Sequence, residues 1–128
     1  MRGTERIVRG VMDQWQAGID GGTPATVAAL FTEDAIFQGL RPYGVGRHTV
    51  ADYYASQPEG MTVTYRILET RQPADGVVFG YLDAEFAFPD RPPVRATIGV
   101  LLTEGDAGWH VAHYQASAVA QRPDDFAD

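Results

Sequence analysis

The sequence predicts an α+β fold in which N-terminal helices sit inside a curved antiparallel sheet. Two patterns predict it. The first half spaces its apolar residues by three and four, with glycine stops, whereas the second half runs in long stretches of two-residue alternation parted by turn signals. Helices first and strands afterwards is an α+β plan. A third observation sets its size: 128 residues at 45% hydrophobic content suffice for one domain with a real core.

Taken in order, Ile7, Val8, Val11, Met12, Trp15 and Ile19 mark a first helix over residues 5–18, which Gly21-Gly22 stops. Thr23 is placed to cap a second helix, with Pro24 at its first position and Val27, Leu30 and Phe31 on its buried face. Residues 34–38 read as a short strand. The loop Gly39–Gly46, "GLRPYGVG", leads to a third helix over Arg47–Ser56, ended by Pro58. Met61–Arg71 is a strand with Met61, Val63, Tyr65 and Ile67 on one face. Ala74–Gly76 turns the chain into Val77–Phe88, where Val78, Leu82, Ala84, Phe86 and Phe88 share a side. Pro89–Pro93 breaks that strand, Val94–Glu104 is the next, Gly105–Gly108 turns again, and Trp109–Val119 is the last. Residues 120–128 read as a flexible acidic tail. A curved sheet around a helix makes a cone with an open mouth, which is where a ligand fits.

Composition removes several functions. There is no cysteine, hence no disulfide, thiolate nucleophile or cysteine zinc site. A net charge of −7 argues against nucleic acid as a partner, because phosphate binding needs a basic face. No apolar run is long enough to cross a bilayer and the first residues carry no signal-peptide core, so a cytoplasmic protein with no membrane partner is the expectation. His48, His110 and His113 lack metal-ligand spacing, and no cofactor is expected.

The segments "LFTEDAIF" (Leu30–Phe37), "GVGRHTVADYY" (Gly44–Tyr54) and "GWHVAHYQAS" (Gly108–Ser117) carry a family likeness by their order and spacing. Over residues 5–119 the chain resembles the SnoaL-like branch of the NTF2-like superfamily, closest in pattern to SgcJ/EcaC-type proteins. The resemblance implies a cone-shaped homodimer in natural-product or polyketide biosynthesis. It also implies cofactor-independent acid–base chemistry of cyclase, isomerase, dehydratase or hydrolase type. Ketosteroid isomerases are similar in layout, but the positions of their base, oxyanion-hole tyrosine and protonated acid fall on Gly39, Trp15 and Val100, none of which does that chemistry. Only Tyr54, at the place of a supporting tyrosine, is kept. The aspartate of SnoaL-type cyclases falls on Gln115, and the acid–arginine–acid set of this fold's epoxide hydrolases finds only Asp83 and Arg95.

Strict alternation in the last strand puts Trp109, Val111, His113, Gln115 and Ser117 on one face. His113 is then the candidate for proton transfer within the cone, with Tyr54 and Gln115 orienting a substrate; the alternative is a core histidine. Trp15, Phe37, Tyr65 and Val100 line the ligand space, with core packing as their main or additional role. Tyr43 and Arg41 form either a lid or a plain turn. Asp83 and Glu85 mark a solvated or intersubunit face, paired to Arg95 or Arg66. Phe79, Tyr81, Leu101 and Tyr114 make the outer sheet face apolar enough for sheet-to-sheet dimerisation. The expected ligand is a small hydrophobic, aromatic or polyketide-like molecule. The rival expectation is a non-catalytic binding or association module, and a filled, closed cone favours it.

Overall fold

The computed structural model describes residues 3–119, so the expected tail at 120–128 lies outside the described residues. The first helix is longer than expected, whereas its apolar stripe is the expected one: α1 spans Gly3–Asp20 and buries Val8, Val11, Met12, Trp15 and Ile19. Thr23 does not cap the next helix through its side chain. Its hydroxyl donates back to the Gly18 carbonyl at 3.1 Å, and α2 (Pro24–Ala28) is one short turn with proline at its start. Phe31 therefore opens β1 (Phe31–Gln38) instead of closing a helix. The two-residue β2 (Gly44–Val45) and α3 (Arg47–Ala55) follow, then β3 (Thr62–Ala74), β4 (Val77–Phe88), β5 (Arg91–Gly105) and β6 (Gly108–Ala118).

The six strands form one sheet in the order β2-β1-β6-β5-β4-β3. All neighbours are antiparallel except β1 and β6, which run parallel. The expected meander is thus present, and the early strand returns to pair with its last member. Pro92 and Pro93 do not break the chain as expected; they lie inside β5. The β4–β5 register shifts there, with Phe86 opposite Val94 and Phe88 opposite Arg91, so both prolines sit at a bulge, where a missing N–H is tolerated.

One face of the sheet packs on α1. Val78, Leu82, Ala84 and Phe86 of β4 and Ala96, Ile98, Val100 and Leu102 of β5 are buried there with Val8, Met12 and Trp15. Gly80 allows the closest approach, since a Cβ at that position would meet the Val8 methyls at 3.0–3.1 Å. Among the described residues no helix is long and apolar enough to cross a membrane.

The last strand departs from strict alternation. Leu102 pairs with Val111 and Leu101 with His113, so Ala112 is an extra residue, a β-bulge that shifts the phase. Upstream of the bulge Val111 is buried; downstream Tyr114 and Ala116 are buried. His113, Gln115 and Ser117 are turned to the outer face.

Candidate ligand site at the mouth of the cone

The interior of the cone is filled by rings. Trp15 from α1, Phe37 from β1, Tyr54 from α3 and Tyr114 from β6 meet there, each at most 7% exposed. Phe37 and Tyr114 stack at 4.8 Å between centroids and 18° between planes. Trp15 stands edge-on to Phe86 at 6.0 Å, and Phe37 edge-on to Tyr54 at 5.8 Å. Both are favoured aromatic geometries.

The polar atoms of this cluster satisfy one another. Trp15 Nε1 donates to the Tyr54 hydroxyl at 3.0 Å, and the Tyr114 hydroxyl bears on the same oxygen as a second donor. Burial drives the Tyr54 pKa upward against the lowering pull of those two donors. It also drives Tyr114 upward, reinforced by its neighbour Tyr54. Both phenols are held neutral, as hydrogen-bonding groups rather than bases. Among the described residues no carboxylate or histidine belongs to this buried core.

The positions expected to matter are not brought together in one place. Trp15, Phe37 and Tyr54 come together in the filled interior. Val100 is buried beneath α1, where its side chain faces Gly80. Tyr65 is half-buried on β3, edge-on to Trp15 at 6.2 Å, and its hydroxyl donates to Asp13 Oδ1 at 2.5 Å on the outside of α1. Burial first, then the Asp13 carboxylate, raises its pKa. Tyr43 is 67% exposed and touches neither cleft described below. His113 and Gln115 are corrected in placement: both face away from the interior because of the Ala112 bulge, and His113 Nε2 lies 3.4 Å from Gln115 Oε1 on the outer face. Tyr114, expected outside, is corrected to the interior by the same bulge.

Gly39 has a steric reason to lack a side chain. A Cβ there would overlap the Tyr53 ring, which occupies the space an acid would need. The Tyr53 hydroxyl in turn accepts from Leu40 N–H at 3.2 Å and ties the loop after β1 to α3.

Open space lies at the rim. A cleft of about 160 Å³ opens between the ends of β4 and β5 and the loop after β1. Its walls are Phe86 and Phe88 of β4, Val94 of β5, Leu40 and Arg41 of the loop, Tyr53 of α3, and Gln57 and Met61 beyond it. Its floor is the back of the aromatic cluster, because Phe86 contacts Trp15 and Tyr53 stands 5.0 Å from Phe37. A second cleft of about 250 Å³ shares Gln57 and Met61 and extends along the end of α1 and α2 toward Asp20, Thr23 and Glu59. A cavity near 150 Å³ accommodates a benzene-sized molecule, so the first cleft holds about one ring. Sequence reasoning reached Phe37 and Trp15 but missed Tyr53, Met61, Phe86 and Phe88 as cleft walls. The alternation of β4 had put Phe86 and Phe88 on the correct face, and that was the available signal.

On the outer face, Asp83 is shared by Arg95 at 3.2 Å and Arg66 at 3.4 Å, as the sequence pattern suggested. Ile36, Val45, Leu68 and Tyr81 are each 38–49% exposed there or at its edges.

No protein-family model matches the sequence, and no curated protein matches it. Solved structures do. The fold is similar to that of a domain of unknown function with a cystatin-like fold from Nostoc punctiforme, at 16% identity and TM-score 0.82, covering 98% of this chain and 83% of that one. It is similar to a ketosteroid isomerase-like protein from Erwinia carotovora atroseptica at 21% identity and TM-score 0.79, covering 94% of this chain and all (100%) of that one. A putative calcium/calmodulin-dependent protein kinase II association domain from Xanthomonas campestris matches at 17% identity and TM-score 0.79, covering 94% and 91%. The chain therefore has the NTF2-like cone fold. At these identities the likeness speaks for fold alone.

Proposed function

We propose that this chain is a small-molecule-binding protein whose ligand sits at the mouth of the cone rather than inside it. The observation that carries this reading is the pairing of a ring-filled, hydrogen-bond-satisfied interior with an aromatic-walled cleft directly above it. Tyr53, Met61, Phe86 and Phe88 contact the ligand, and Gln57 supplies a polar handle. A flat, single-ring portion of an aromatic or polyketide-like molecule suits those walls.

An acid–base enzyme of the ketosteroid isomerase-like or dehydratase type needs a titratable group against its substrate. The neutral pair Tyr54 and Tyr114 offers hydrogen bonding without a base, and His113 lies on the other face. The binding-module reading therefore leads over the enzyme reading. A second copy of the chain on the outer sheet face goes with it, supported by the exposed Ile36, Val45 and Tyr81 around half-buried Phe79 and Leu101.

The test uses the methionine methyls. Met61 lines both clefts and Met12 is buried under the sheet. In protein carrying 13C-labelled methionine methyls, a panel of single-ring and fused-ring aromatics should shift Met61 and leave Met12 in place. A panel that moves Met12 and not Met61 would place binding inside the cone and return the enzyme reading to the front. A panel that moves neither refutes the mouth site.

A further inference from the structure

We infer that the molecule bound at the mouth carries a carboxylate on its ring, and that Arg41 is the group that recognises it. The inference rests on the mouth-site reading above and names the chemical class of its ligand. Of the cleft's lining side chains Arg41 alone is charged; the others are apolar or neutral. In a chain of 17 acidic against 10 basic side chains, a cation at an apolar opening selects for negative charge.

Arg41 is also held where it can act. Its Nη1 donates to Ser56 Oγ at 3.4 Å, and Ser56 Oγ donates to the Tyr53 carbonyl at 2.7 Å at the end of α3. The neighbouring Leu40 N–H is fixed to the Tyr53 hydroxyl. The loop is thus fastened to the same helix that supplies a cleft wall. Among the described residues no carboxylate lies within 4.0 Å of Arg41, whereas Arg47, Arg66, Arg71, Arg91 and Arg95 each have one. The remaining guanidinium N–H groups form a planar fork suited to a carboxylate's two oxygens. A second cation stands beyond the far wall, where the Arg91 guanidinium lies 5.6 Å from the Phe88 ring centroid. It is occupied by Asp90 at 3.2 Å, so Arg41 carries the recognition.

The ring goes into the space between Phe86, Phe88 and Tyr53, and the carboxylate stays at the rim beside Arg41, where it keeps part of its water. The charge is therefore worth a modest factor, about fivefold in affinity for a partly exposed pair.

The experiment compares benzoate with benzyl alcohol, which share ring and size and differ in charge. Both are titrated at fixed ionic strength against full-length chain, read at the Met61 methyl, in wild type and Arg41→Gln. Benzoate should bind about fivefold more tightly than the alcohol, and Arg41→Gln should remove the difference without weakening the alcohol. Equal binding of the two in wild type overturns the carboxylate inference while leaving the mouth site standing. A preference for benzoate that survives Arg41→Gln overturns the role of Arg41. If neither compound shifts Met61, both this inference and the mouth site fail.

Discussion

The Tyr54 oxygen receives two buried donors, so its removal should cost more than removal of either tyrosine hydroxyl considered as a single hydrogen bond. In Tyr54→Phe the ring stays and only the oxygen goes. Trp15 Nε1–H, donating at 3.0 Å in the native chain, and the Tyr114 hydroxyl both lose their acceptor. An unpaired buried donor costs about 1–3 kcal/mol, so the variant should lose about 2–4 kcal/mol after some relaxation. Tyr114→Phe removes one donor and leaves Tyr54 bonded to Trp15, which should cost about 1 kcal/mol. Combining the two leaves Trp15 alone unpaired. Adding Tyr114→Phe to Tyr54→Phe should therefore cost nothing or restore some stability, a coupling that simple addition does not give. Urea unfolding of the four proteins, read by midpoint at constant slope, measures the cycle. A water-filled interior gives a different answer, because water would satisfy the orphaned donors. Both single variants lying within about 0.5 kcal/mol of wild type, and adding linearly, would refute the closed cone.

Alkaline pH should act on the same cluster. Tyr54 and Tyr114 have pKa values raised above the ordinary value near 10, so above that pH the unfolded chain loses protons that the folded chain retains. Stability should be flat from neutral pH to about pH 9, then fall by up to about 2.7 kcal/mol per pH unit from these two groups, with half-buried Tyr65 adding a smaller share, and the slope in Tyr54→Phe should be shallower by up to about 1.4 kcal/mol per pH unit; urea midpoints at several pH values read it. Gly39→Ala should drive the Tyr53 ring out of its place, costing about 1–3 kcal/mol and abolishing the Met61 response to ring compounds while Met12 keeps its shift. On the outer face, Tyr81→Glu should turn a dimer into a monomer by light scattering without changing the urea slope; a chain whose mass is unaffected removes that face as the interface.

Most of the fold was legible because long elements state their period. α1 shows three-and-four spacing and β4 shows strict alternation, so their buried faces could be read directly from sequence. What failed depended on tertiary partners. Pro92 and Pro93 look like a break in one dimension, but they fall where the β4–β5 register shifts, and a bulge there carries them inside β5. Phe31 fits the end of a helix by spacing, but its place opposite Val111 in the parallel β1–β6 pair makes it a strand residue. The candidate site was read less well for one reason, a single extra residue. Ala112 shifts the phase of β6, and with it every assignment from His113 to Ser117 moves to the other face. A trace of this was present in the sequence. Unbroken alternation would have put His113, Gln115 and Ser117 against a sheet face that is otherwise apolar. A phase slip after Val111 instead sends Tyr114 and Ala116 inward and those three outward, a choice that hydrophobic burial favours.

That slip also explains why the interior is filled. With Tyr114 turned inward, a ring stacked on Phe37 fills the volume that His113 and Gln115 would have lined. The tyrosine hydroxyl then needs a partner, which the Tyr54 oxygen supplies, and that oxygen is already matched to Trp15. Each step fixes the next: the bulge selects the ring, the ring excludes water, and exclusion of water makes a buried base costly unless it is paired. Gly39 follows the same logic, since the Tyr53 ring that closes the cluster leaves no room for a carboxylate there. At the rim, Phe86 and Tyr53 present their outer sides to an open cleft beside Arg41. On the proposal above, a cone closed in this way takes its ligand at the mouth.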